Sequence, residues 1–176
     1  PTVQIRRSAP ASPEAEPLIT ALNAELKAIF PEARATHFSL GGEQTAEGNG
    51  AFLIAYLDDV AVGCGAVRRL DEGTAELKRM YVEPAVRGQG IGRVLVESLE
   101  DEARALGSSR VVLETGTRLT RAIRMYEAMG YVRIPLFGEY LASPQTSVCF
   151  GKSLAAAAGS DSRESRELKK VIASHR

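Results

Sequence analysis

The sequence has few cysteines, no excess of charge and no long apolar run, and each shortage excludes a class of protein. Two cysteines, Cys64 and Cys149, occur among 176 residues. They form neither a metal-binding spacing nor a disulfide framework, which is typical of a reducing cytosol. The cysteine pattern therefore predicts no metal cofactor, and because the 22 basic and 22 acidic residues cancel, we expect no nucleic-acid partner held by its phosphate charge.

The apolar runs are far shorter than the roughly 20 residues that span a bilayer. The N-terminal segment also lacks the apolar centre of a signal peptide. We therefore predict a cytoplasmic protein that has no membrane partner. Its 44% apolar and 25% charged residues are ordinary for a globular protein.

The length predicts one domain, residues 1–154, followed by a polar tail, residues 155–176. The tail begins with four alanines at 155–158 and continues with charged and small residues. We expect it to be a flexible appendage or a short helix, either native or added by cloning.

Periodic apolar positions predict seven strands and three helices. The predicted strands are 2–7, 52–57, 61–70, 75–82, 110–114, 131–134 and 147–154. The predicted helices begin near Ser12 (ending before Pro31), at about 90 (to 106) and at 119 (to 129). The order indicates an α+β fold, an α/β/α sandwich with one mixed, mostly antiparallel sheet. Strand alternation predicts that Glu76, Lys78 and Met80 share a face, with Leu77, Arg79 and Tyr81 on the other.

A glycine-rich turn, Arg87-Gly88-Gln89-Gly90-Ile91-Gly92, lies between a predicted strand and a predicted helix. Glycines there expose successive backbone N–H groups at a helix N-terminus, an arrangement that binds phosphate. The Walker pattern is absent, and the dinucleotide fingerprint fails because position 93 is arginine. A plain strand-to-helix connection is the alternative interpretation, although such a connection does not need the flanking cations.

The turn and its surroundings resemble the GCN5-related N-acetyltransferases (GNAT). The similar segments are Arg87-x-x-Gly90-x-Gly92, ELKRMYVEP before it (76–84) and AIRMYEAMGY after it (122–131). The resemblance covers roughly residues 3 to 154 and implies the acyl-CoA N-acyltransferase fold, with acetyl-CoA as co-substrate. Members of the family are often dimers, and exposed edge strands would permit a homodimer here, which the sequence does not decide.

The resemblance also assigns the cofactor contacts. Backbone groups of Met80, Tyr81 and Val82 would pair with the pantetheine arm of acetyl-CoA, and the turn would hold its pyrophosphate. The implied pyrophosphate residues are Arg87, Gly88, Gln89, Gly90, Ile91, Gly92 and Arg93. Many relatives have an asparagine at the start of the late helix, whereas this sequence has Leu119 and Thr120, which puts that one contact in doubt.

Acetyl transfer to an amine requires a base for the amine and a proton donor for the leaving sulfur. The resemblance implies Glu76 as the base and Tyr126 as the donor. The alternatives are a solvated strand charge for Glu76 and a core aromatic for Tyr126. Glu114, at the end of the fifth predicted strand, is a second candidate base or a group that holds the substrate ammonium.

We therefore predict an N-acetyltransferase that moves the acetyl group of acetyl-CoA to a primary amine by direct attack in a ternary complex. The amine would belong to a small molecule, an amino acid or a peptide N-terminus. A non-catalytic acyl-CoA-binding regulatory module is the alternative, followed by a structural domain that binds no coenzyme A. No cysteine nucleophile is needed, and His37 and His175 are expected at the surface.

Overall fold

The computed structural model describes residues 2–155, which form one seven-stranded sheet and three α-helices. The strands are β1 (Val3–Ser8), β2 (Gly50–Leu57), β3 (Val60–Arg69), β4 (Thr74–Val82), β5 (Arg110–Gly116), β6 (Val132–Ile134) and β7 (Ser147–Ser153). The helices are α1 (Ala15–Ile29), α2 (Ile91–Ala105) and α3 (Thr120–Ala128). The α+β prediction is confirmed. The predicted tail, apart from Ala155, lies outside the described residues.

The sheet has the order β1-β2-β3-β4-β5-β7-β6, and β4 and β5 are its parallel pair. Short turns join β2, β3 and β4 into the predicted antiparallel meander. The helix α2 is the crossover that the parallel pair requires. Within residues 2–155, no helix is both long and apolar enough to cross a membrane.

Helices cover both faces of the sheet. Leu18 and Leu22 of α1 pack against one face, beside Phe52 and Ile54 of β2. The other face carries α2 and α3, and Leu95 of α2 is fully buried there. Burying one leucine side chain stabilises the fold by about 1.5–3 kcal/mol, so the apolar stripe of each helix fixes which face it covers.

The parallel strands β4 and β5 separate halfway along their length. Their ladder begins at Thr74 and Arg110 and ends at the pair Leu77 and Leu113. Beyond this pair, β4 stays bonded to β3 and β5 stays bonded to β7. The two strands therefore leave a gap in the middle of the sheet.

A β-bulge interrupts β4 next to this gap. The register shifts between Cys64 and Ala66 of β3, and Arg79 has a left-handed φ of 60°. One extra residue in a bulge reverses the alternation that follows it. Arg79 therefore faces α1, as its hydrogen bond to Asn23 shows, and Met80 packs in the core beneath α2. The predicted faces of Arg79, Met80 and Tyr81 are wrong for this reason, since Tyr81 packs on the α1 side of the sheet and Leu77 on the α2 side.

Candidate active site

The gap between β4 and β5 opens into a cavity of about 640 Å³. One end is lined by the glycine-rich turn at the start of α2. The other end is lined by residues on the α1 side, among them His37, Lys78 and Tyr140. Because residues from both faces line the cavity, it passes through the sheet, and its volume is in the range of small-molecule and cofactor sites.

The glycine-rich turn presents free backbone amides to the cavity. Gly88 and Gly90 both have a φ of 84°, and Gly90 immediately precedes α2. Within residues 2–155, the amides from Gly88 to Arg93 make no hydrogen bond. A Cβ at Gly90 would meet nothing within 4 Å. Open space, free N–H groups and the positive end of a helix dipole fit a diphosphate.

The two arginines that flank the turn have other partners. Arg87 donates from Nε to the Val82 carbonyl at 2.8 Å, and its Nη1 lies 2.9 Å from Oε1 of Glu25. Its side chain therefore holds the turn against α1. The Arg93 side chain is 55% exposed and lies 3.8 Å from Glu97. The Arg87–Glu25 contact joins residues 62 positions apart, whereas Arg93 and Glu97 are one helical turn apart on α2.

A further cation lies beside the turn, and the sequence reasoning missed it. Nη2 of Arg121 is 3.3 Å from the place that a Cβ on Gly88 would occupy. Arg121 lies in the first turn of α3, more than thirty residues after Gly88. No local motif joins the two, because only the packing of α3 beside α2 brings them together.

Glu114 is the first residue of β5 beyond its ladder with β4, and it lines the cavity. Burial raises the pKa of its carboxyl group from 4.5 to about 7, while a hydrogen bond from Ser147 opposes this shift. The charges of Glu76 and Lys78 act on it in opposite directions. A carboxyl group with this pKa can both take up and release a proton near neutral pH.

Glu76 lies behind the cavity wall and is almost completely buried, with 1% of its surface exposed. Arg68 donates to its Oε1 from Nε at 2.9 Å and approaches it from Nη2 at 2.8 Å. The Tyr140 hydroxyl donates to Oε2 at 2.6 Å. Both carboxylate oxygens are therefore occupied by protein donors.

Tyr126 is both a core residue and a cavity residue. Its ring packs edge-to-face on Tyr131 with centroids 5.6 Å apart, and it also lines the cavity. Burial raises the pKa of its hydroxyl, and the charge of Glu114 adds to this shift. In the part of the chain that the structure describes, the hydroxyl has no hydrogen-bond partner, so it is available to a bound molecule.

His37 is partly buried rather than exposed at the surface as predicted, since only 10% of its side chain is exposed. Its Nε2 lies 2.8 Å from the Ser143 hydroxyl, which lies 2.8 Å from the Ser147 hydroxyl. Burial lowers the pKa of His37. The chain of contacts fixes Ser147 beside Glu114. His175 lies outside the described residues.

Both cysteines are buried and remain protonated. Burial raises the pKa of Cys64 to about 12 and that of Cys149 to about 11. The Cys64 thiol also donates to the carbonyl of Arg79. Because the thiolate is the nucleophilic form of cysteine, this arrangement offers no activated thiol.

Comparison with known proteins gives consistent matches. The sequence profile of the Acetyltransferase (GNAT) family matches residues 17–131. A protein named IAA acetyltransferase from Azospirillum brasilense is 39% identical over 145 residues, which cover 82% of this chain and 94% of the relative. A structure from Klebsiella pneumoniae assigned to the acyl-CoA N-acyltransferases has a TM-score of 0.73 and 32% identity, covering 87% of this chain and 98% of its own.

A GNAT family acetyltransferase from Elizabethkingia anophelis, solved with acetyl-CoA bound, has the same fold. Its TM-score is 0.65 at 16% identity, and the match covers 87% of this chain and 99% of that protein.

Proposed function

Because the chain belongs to the Acetyltransferase (GNAT) family and is therefore an acetyl-CoA-dependent acetyltransferase, we propose that it acetylates a primary amine by direct attack in a ternary complex. We assign this activity to residues 1–154. The observation that carries the proposal is that Glu114 and the free Tyr126 hydroxyl line one cavity, which ends at the unpaired amides of the glycine-rich turn.

The cofactor end of the cavity would bind acetyl-CoA, which supplies an acetyl group on a thioester. Amides from Gly88 to Arg93 bind the pyrophosphate, with Arg121 as the nearby cation. Met80, Tyr81 and Val82 offer backbone groups to the pantetheine arm, as if it were an added strand. The Val82 carbonyl already accepts from Arg87, so Arg87 supports the turn from behind.

Glu114 is the base in this proposal. An amine is protonated at neutral pH and can attack only after it loses a proton. Glu114 lies at the gap and has a pKa of about 7, so a large fraction of it is ionised at neutral pH. Glu76 is less suitable, because Arg68 and Tyr140 occupy its oxygens; its role in this proposal is to hold these two side chains in place.

Tyr126 is the proton donor for the leaving sulfur. A donor must carry its proton at neutral pH, and burial raises the pKa of Tyr126 further above its ordinary value. The hydroxyl also lies in the cavity without a competing partner among residues 2–155. Glu114 thus takes a proton from the amine on one side of the gap, and Tyr126 gives a proton to the leaving sulfur on the other side.

The cofactor site is tested by acetyl-CoA binding to Gly90→Ala, measured by calorimetry. The substitution strains a left-handed residue and places a methyl group where the phosphates approach. We expect acetyl-CoA to bind about tenfold more weakly, which is the effect of losing one or two hydrogen bonds.

Gly107→Ala is the matched control. Gly107 has a φ of 83° and an equally open environment, but it lies beyond the other end of α2, about 25 Å away. It should lose similar stability and bind acetyl-CoA normally. Equal affinity for acetyl-CoA in the wild type and Gly90→Ala contradicts the assigned site.

The reaction is tested by thiol release from acetyl-CoA across a panel of primary amines. We expect release to depend on the amine, with formation of the N-acetylated product detected by mass spectrometry. Release without an acetylated amine, or through an acetylated form of the protein, would contradict direct attack.

A further inference from the structure

Arg79 is a buried cation that has no acidic partner. It is 8% exposed and lines the cavity. Its guanidinium donates to the amide oxygen of Asn23 and lies 5.0 Å from the ring centroid of Phe38. No carboxylate forms a salt bridge with it within residues 2–155.

Four other basic side chains of this region form ion pairs with carboxylates. The pairs are Arg68 with Glu76, Lys78 with Glu139, Arg87 with Glu25 and Arg118 with Glu32. Buried charges in proteins are almost always paired, because an unpaired one loses its hydration without compensation. Burial accordingly lowers the pKa of Arg79. An unpaired guanidinium in a cavity indicates a site for an anionic group of a ligand.

The location of Arg79 assigns this anion to the acceptor rather than to the cofactor. Arg79 is the second residue of β4 beyond the ladder, and Glu114 is the first residue of β5 beyond it. Both face α1, whereas the glycine-rich turn leads into α2 on the opposite face. The guanidinium and the proposed base therefore lie on the two walls of the same half of the cavity.

We propose that Arg79 binds a carboxylate of the acceptor, so that the substrate is an amine that also carries a carboxylate, as an amino acid does. This inference rests on the proposed function. The planar guanidinium can bind a carboxylate through two parallel hydrogen bonds. A doubly charged phosphate would require a second free cation, and the nearby Lys78 is already paired with Glu139 at 3.1 Å.

The experiment compares amino acids with their carboxamides as acceptors for the wild-type protein. Each pair has the same side chain and the same amine, and only the carboxylate is removed. The amide has the less basic amine and thus more of the reactive neutral form, which works against the prediction. We expect kcat/KM for the best amino acid to exceed that of its amide at least about 30-fold, the loss typical of an unpaired buried charge.

The variant Arg79→Gln tests the residue itself. It should raise KM for the amino acid at least about 30-fold, while KM for acetyl-CoA and kcat/KM for the amide change less than about threefold. Arg118→Gln is the matched control, because Arg118 also lines the cavity but is paired with Glu32. It should keep the preference for the carboxylate.

Two results would overturn the inference while leaving amine acetylation intact. One is an amide acetylated as well as its amino acid by the wild type, and the other is an unchanged preference in folded Arg79→Gln. If Arg79→Gln does not fold, the wild-type comparison decides. A wild-type protein that binds acetyl-CoA but acetylates no amine, charged or neutral, would instead overturn the proposed function together with this inference.

Discussion

The same chemical change, glutamate to glutamine, should have opposite effects on stability at Glu114 and at Glu76. The folded state raises the pKa of Glu114 from 4.5 to about 7. Stability from the protonated form is therefore present below pH 4.5 and is lost as the pH rises to about 7. At pH 8 the ionised carboxylate costs up to about 3 kcal/mol, and Glu114→Gln removes this cost.

Glu76→Gln should destabilise the fold. It leaves the Arg68 guanidinium, whose side chain is 24% exposed, without its carboxylate. Breaking a buried ion pair by removing one partner costs about 3–5 kcal/mol, and the partial exposure of Arg68 reduces this to about 2–4 kcal/mol. For a domain of this size the melting temperature should fall by roughly 10 °C.

The catalytic activities of Glu114→Gln and Glu76→Gln should be in the opposite order to their stabilities. Loss of a general base lowers kcat by about 100-fold or more, so Glu114→Gln should be nearly inactive and yet more stable than the wild type at pH 8. Its stability gain should shrink toward pH 5. Glu76→Gln should keep kcat within about tenfold below its melting temperature.

The assays are urea unfolding at pH 5, 6.5 and 8, and thiol release from acetyl-CoA below the melting temperature of each variant. Two outcomes would refute the reasoning. An active Glu114→Gln protein would exclude Glu114 as the base. A stable but inactive Glu76→Gln protein would restore the assignment of the base to Glu76.

Three further predictions concern the remaining groups of the cavity. Tyr126→Phe should lower kcat about 100-fold or more with unchanged thermal stability and unchanged KM for acetyl-CoA, because its hydroxyl has no partner in the described part of the chain; a large fall in melting temperature would instead indicate a structural role. Ser147→Ala removes a hydrogen bond that lowers the pKa of Glu114, so the acidic limb of the kcat profile between pH 5.5 and 9 should move to higher pH, and a shift to lower pH would contradict this contact. The double variant Cys64→Ala, Cys149→Ala should keep most of its activity, and mass spectrometry should find no acetylated protein; inactivity with an intact fold would favour an acetyl-cysteine route.

Local patterns were sufficient to predict the elements of this fold. The periodic apolar positions predict α2 at about 90–106, and the helix lies at Ile91–Ala105. Gly90 and Gly107, both left-handed, stand at its two ends. The ends of this helix can be predicted from the sequence, because each depends on a few consecutive residues and on the conformational freedom of glycine.

The choice between the two glutamates could not be made from the sequence. Glu76 and Glu114 lie on the neighbouring strands β4 and β5, and the sequence offers both as candidates for the base. The two glutamates differ in their hydrogen-bond partners. Glu76 accepts from Arg68, 8 positions away, and from Tyr140, 64 positions away. No periodic pattern records a hydrogen bond between such distant positions, whereas the fold decides which carboxylate is occupied and which is left in the cavity.

Two energetically unfavourable features, a left-handed backbone and an unpaired buried charge, coincide at Arg79 in the bulge of β4. A non-glycine residue in the left-handed region costs about 1–2 kcal/mol, and Arg79 adopts it with a φ of 60°. The same residue carries the unpaired buried charge that lines the cavity. Without the bulge, strict alternation would direct this side chain toward the apolar core beneath α2. A fold selected for stability alone gains from neither feature, so the two costs together indicate that this segment of β4 is shaped by what it binds.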